Sequence, residues 1–210
     1  GVAGAVIDNR SMKIDMGDAA TLTFYGDGGS SNISLMDDTT PTAGEEAWDD
    51  VSGATAHAYG PTGYDTFFYT NSSLMDGVTI GLDYIPADGS TQIGSSTAAT
   101  IKYTGIDGLT IGAGMGEDNG EGPADADDVT AFNVTYAMDA VSIGYSSYEV
   151  DSNAASSDTT LTAFGISYAV NDDLSVSVNT SETDIEGSTT QEAMGISASL
   201  VVGSMTLSAN

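Results

Sequence analysis

The stretch "FFYTNSSLMDGVTIGLDY", Phe67 to Tyr84, reads as two strands joined by a tight turn at Asp76-Gly77. After the turn, Val78, Ile80, Leu82 and Tyr84 fall on one face, and Thr79, Gly81 and Asp83 on the other. Side chains of a strand point alternately to its two sides, so this is the period of a half-buried strand. In a soluble sandwich the apolar face would meet a protein core. In a membrane barrel it would meet lipid, and the polar face would line the inside.

The rest of the chain repeats the pattern. From Asp65 onward, apolar positions recur at every second residue in ten consecutive segments, although Phe68 and Leu74 leave the face of the first one ambiguous. Ala99, Ile101 and Tyr103 mark one segment, Phe132, Val134 and Tyr136 another, and Met194, Ile196, Ala198 and Leu200 a third. Opposite faces carry Thr, Ser, Gly and Asn. Connections alternate too. Tight ones, such as Ile106-Asp107-Gly108 and Met138-Asp139-Ala140, hold the residues that short hairpins require. Long polar ones lie between them, such as "PADGSTQIGSST" after Tyr84 and "EDNGEGPADADD" after Gly116. Short turns at one end and long loops at the other match a transmembrane barrel. A Greek-key sandwich would mix its loop lengths more freely. Tyr103, Tyr136 and Tyr168 each sit three or four residues before the Asp or Asn of a short turn, as an interfacial aromatic girdle would.

Composition narrows the function. Among 210 residues, 31 Asp and Glu face 3 Lys and Arg, for a net charge of -28. Arg10, Lys13 and Lys102 are too few cations to neutralise a nucleic-acid backbone, so nucleic acid is excluded as a partner. Cysteine is absent, which removes disulfides, thiolate nucleophiles and Cys-ligated metals. No apolar run approaches the roughly 18 residues of a spanning helix. The opening "GVAGAVIDNR" shows no signal-peptide pattern, which says little about location. Enzyme signatures are missing: His57 stands alone in a loop, and Gly112-x-Gly114-x-Gly116 lies on a strand, where it reads as close backbone packing or a smooth wall. No cofactor is expected. Asp125, Asp127 and Asp128 lack the spacing of a specific calcium loop, which leaves only loose Ca2+ or Mg2+ association at acidic loops.

Residues 1–64 are organised differently. Met12, Ile14 and Met16 alternate against Lys13, Asp15 and Gly17 in "SMKIDMGD". A long segment without clear period follows, residues 26–63, with seven carboxylates between Asp27 and Asp50 and the only Trp, Trp48. With "KIDMGD" before this acidic segment and the Phe67–Tyr84 stretch after it, the chain resembles the general porins of Gram-negative bacteria; Thr79, Gly81 and Tyr84 sit as that family's strand after the short turn would place them. The resemblance implies one barrel domain, residues 1–210, with a constriction-type loop at 26–63 folded inward and five β-hairpins over 64–210. Strands at 11–18 and 2–8 before the loop and ten after it make about twelve. A complete barrel of the family has about sixteen, which implies roughly three strands before residue 1 and one after residue 210. A self-contained twelve-strand barrel is the structural alternative.

The family also implies a transverse field at the narrowest point of the pore. Asp37, Asp38, Glu45, Glu46, Asp49 and Asp50 would form its acidic loop side, and Lys13, Lys102 and Arg10 the basic wall. By alternation Lys13 and Lys102 point inward, opposite Met12 and Ile14 and opposite Ile101 and Tyr103. The expectation is a trimeric outer-membrane porin in contact with lipid and lipopolysaccharide, passing small hydrophilic solutes and preferring cations because of its charge. The rival is a secreted acidic β-sandwich or solenoid, such as a surface adhesin, whose apolar faces would pack against each other.

Overall fold

The computed structural model describes residues 10–27, 31–36, 39–43, 46–47, 65–87, 94–119, 126–153 and 158–209. These residues form one antiparallel sheet of 12 strands in strict sequence order. Two strands precede the long loop: β1 Arg10–Asp15 and β2 Thr21–Asp27. A hairpin of β3 Thr66–Met75 and β4 Val78–Ile85 follows it, then β5 Ser96–Ile106, β6 Leu109–Asn119, β7 Ala126–Met138 and β8 Val141–Ser152. The sheet continues through β9 Thr159–Ala169, β10 Leu174–Ile185 and β11 Gln191–Val202 to β12 Met205–Ala209. All-next-neighbour pairing is the up-and-down order of a barrel wall, and strands of 11 to 13 residues from β5 to β11 are long enough to cross a bilayer when tilted.

The ten strands after the loop agree with the alternation read from the sequence. The start of the chain differs. The expected strand at 11–18 is β1, ending at Asp15, and residues 2–8 lie outside the described residues. The second strand is β2, which the sequence pattern hid. It offers only Leu22 and Phe24 as apolar outward residues, and Tyr25 on the opposite face blurs the period. The long connection therefore covers residues 28–65.

Tight turns dictate where left-handed backbone is needed. Gly77 and Gly108 hold φ of 71° and 73° in the β3–β4 and β5–β6 hairpins, a region that costs a residue without Cβ little. The β7–β8 turn places Asp139 at φ 48° in the same role, which Asp tolerates better than most residues.

The sheet is apolar outside and polar inside. Register carries each face across neighbours: Leu82 pairs with Ala99, Ile166 with Val178, and Val178 with Ile196, all outward. Outward Met194 and Ile196 are 69 % and 62 % exposed, whereas inward Ser177 and Asn179 are 3 % and 2 % exposed. A water-soluble protein would reverse these numbers, because exposed apolar surface costs roughly 25 cal/mol per Å² relative to burial. Contiguous apolar surface of this extent marks a face that meets something other than water. The apolar faces do not pack on each other, as a sandwich requires.

The inner wall and inward loop as the candidate functional site

Three described pieces of the long loop lie along the inside of the sheet. Residues 31–36 end in a 3-10 turn, Ser34–Met36, over β4 to β8; residues 39–43 and 46–47 continue over β8 to β11. The first two stretches are fastened to inward side chains, and Ala47 of the third lies against Gly195. Asn32 donates to both oxygens of Asp83, from its backbone N at 2.7 Å and from Nδ2 at 2.6 Å. The Met36 carbonyl accepts from the Tyr148 hydroxyl at 2.6 Å and from Asn133 Nδ2 at 3.4 Å. Thr40 and Ser146 share a hydroxyl contact at 2.9 Å. The Ala43 N–H donates to Ser177 Oγ at 2.8 Å, and Ser177 lies 2.6 Å from Ser197 Oγ.

Apolar packing supports these bonds. Ile33 and Met36 join Ala98, Val129, Ala131, Tyr148, Leu161 and Ala163 in a small buried cluster, so the core among the described residues lies between loop and wall. Glycines on the inner face make room for the loop. A Cβ on Gly81 would strike Asn32, and on Gly114 it would lie 2.9 Å from Met36 Sδ. On Gly144 it would strike Pro41, and on Gly165 Thr40. These glycines mark the track of the loop, which is the close packing expected for Gly114. Asp83 corrects one detail: it points inward as expected, yet Asn32 covers it, leaving it 4 % exposed.

The residues expected to set the field are distributed unevenly. Asp37, Asp38, Glu45, Asp49 and Asp50 lie outside the described residues, as does His57. Glu46, expected on the pore's acidic side, is 6 % exposed. Lys13 shares the inward face with Thr23, its register partner, and is exposed. Lys102, also inward and exposed, lines a recess together with Asn32, Met36 and Thr39, so it lies beside the loop's 3-10 turn. Arg10 is on the other face. It shares the parity of Met12 and Ile14 along β1 and so faces outward beside Gly26 and Phe24, where its guanidinium donates to the Gly26 carbonyl at 3.0 Å. It does not belong to the basic wall.

Tyr103, Tyr136 and Tyr168 all face outward near the short-turn end, opposite Ile111, Ile143 and Val176 across the strands. Sequence reading missed a second aromatic row. Phe24 and Phe67 meet outward with tilted rings, centroids 5.1 Å apart, and Phe67 and Tyr84 follow at 6.4 Å, near the long-loop end of their strands. The signal was present in Phe67 and Tyr84; the link to Phe24 needed β2. Rows of aromatics at both ends of an apolar band are the outer surface of a membrane barrel.

A strand-by-strand barrel wall, apolar outside, with a loop fastened along its polar inside, defines the class as a transmembrane β-barrel. Comparison with protein families narrows it: the model of the Gram-negative porins matches residues 5–209, and the chain belongs to that family. It is thus a porin of the bacterial outer membrane. Similar solved structures include the anion-selective porin from Comamonas acidovorans, 11 % identical with a TM-score of 0.64 over 92 % of this chain and 73 % of that one. A mutant of the Rh. blastica porin is 16 % identical, with a TM-score of 0.66 over 98 % of this chain and 73 % of that one. The outer-membrane protein OmpT of Vibrio cholerae is 12 % identical, with a TM-score of 0.53 over 91 % and 73 %. At such identities the likeness is one of fold. Comparison with curated proteins gave no match.

Proposed function

We propose that this porin passes ions and small hydrophilic solutes by passive diffusion and prefers cations, without catalysis and without a bound cofactor. The observation carrying the preference is charge: -28 over the chain, with Lys13 and Lys102 as the inward cations among the described residues. A mouth and lumen of one sign concentrate counter-ions and raise their entry rate. The Comamonas porin of similar fold is anion-selective, so fold leaves the sign of selectivity to the charges. The residual basic side is Lys13 and Lys102, facing whatever carboxylates the loop presents. Membership of the family supports a homotrimer embedded in lipid and lipopolysaccharide, and the acidic loops suit loose association of divalent cations. Planar-bilayer reversal potentials under a KCl gradient test the preference: a cation-selective sign at low salt is expected, and an anion-selective sign would reject it.

A further inference from the structure

We propose that the recess beside Lys102 is a station for a small hydroxylated monocarboxylate, an α-hydroxy acid or a sugar acid, moving through the pore. The inference rests on the reading of the chain as a pore. The recess measures about 420 Å³, a volume suited to a small ligand, and lies between the 3-10 turn and the inner wall. Register builds it. Thr79, Lys102, Gly112 and Asn133 form one inward row across β4 to β7, and Thr110 pairs with Thr135 in the row toward the short turns. Thr100 precedes Lys102 on the same face of β5. Gly112 carries no side chain of its own, so the Asn133 amide leans into the space above it, and Lys102 and Asn133 both line the recess.

The chemistry selects the ligand. Among the described residues Lys102 forms no ion pair, so its three N–H donors are available to a carboxylate through charge-assisted bonds. Threonine hydroxyls both donate and accept, which matches hydroxyl groups on the carbon chain. Leu35, 63 % exposed, offers an apolar surface to the ligand's C–H groups. One cation balances one negative charge. A dianion would bring an uncompensated charge into an acidic lumen, and a neutral sugar would forgo the charge-assisted bonds. Within a pore that repels anions overall, the recess gives such solutes a local foothold.

The test is solute-induced block of single-channel KCl current through the full-length protein, with gluconate as probe and glucose and acetate as comparisons. Gluconate is expected to block at the lowest concentration of the three. Lys102→Gln should raise its half-blocking concentration about tenfold, the effect of losing one charged hydrogen bond. Lys102→Arg, which keeps the charge, should restore most of the block. Thr79→Val with Thr100→Val should bring gluconate toward acetate while acetate itself stays put. Channels that conduct KCl yet are blocked equally by gluconate and glucose, or a Lys102→Gln channel with unchanged block, would overturn the station and leave the pore standing. Absence of any conductance would overturn the pore, and the station with it.

Discussion

Replacing Asn32 by Ala removes the strongest single fastening of the loop to the wall. The substitution deletes the 2.6 Å bond from Nδ2 to Asp83 and a 3.2 Å bond from Nδ2 to the Tyr69 carbonyl, and keeps the backbone bond to Asp83 at 2.7 Å. A hydrogen bond to a charged group contributes about 1.5–3 kcal/mol, and a buried carboxylate that loses a partner is left costly. Taking ~2 kcal/mol as the loss in docking free energy, the population of loop lifted from the wall at this point rises roughly 30-fold. Two assays read this change: the low-frequency noise of single-channel current, and the rate of protease nicking in the loop. Both should rise in Asn32→Ala while the far fastening at Ser177 and Ser197 holds the rest of the loop in place. Unchanged noise and unchanged nicking would refute the inference that this bond holds the loop.

Other perturbations probe separate layers. Gly144→Leu drives a side chain into Pro41, so it should destabilise the docked loop by about 1–3 kcal/mol and raise channel noise. Ile166→Lys sets a charge on the outward mid-strand face and should cost about 2–4 kcal/mol in reversible folding into bilayers, whereas Ser167→Lys on the inner face should cost less and shift selectivity toward anions. The cation preference itself should fade between ~0.1 M and ~1 M salt, as the screening length falls from about 10 Å to about 3 Å; a reversal potential that implies constant selectivity over that range would show that it arises elsewhere.

Much of this was legible in the sequence because a barrel wall is a local code. Strict alternation in β4 to β11 and the spacing of Asp-Gly turns name the strands, and inside and outside follow from period alone. Two features were not local. β2 carries just two outward apolar residues, so its existence shows only in its pairing with β1 and β3. The outward side of Arg10, by contrast, was local: it shares the parity of Met12 and Ile14. The path of the loop depends on partners far apart in the chain, Asn32 with Asp83 and Thr42 with Ser197, and a stretch without period gives no hint of them. Burial of Glu46 belongs to the same group. Its loop position suggests a solvated acid, and only the docked path covers it.

The central claim is that the apolar face of the strands meets lipid and the polar face meets water. Because the chain has no cysteine, single substitutions at four successive positions of β5 report it directly: Ile101→Cys, Lys102→Cys, Tyr103→Cys and Thr104→Cys. With a fluorophore at each site in reconstituted bilayers, brominated lipid should quench the labels at 101 and 103 strongly. A membrane-impermeant thiol reagent should react at 102 and 104. Quenching that fails to alternate, or labels at 101 and 103 shielded from lipid, would contradict the account.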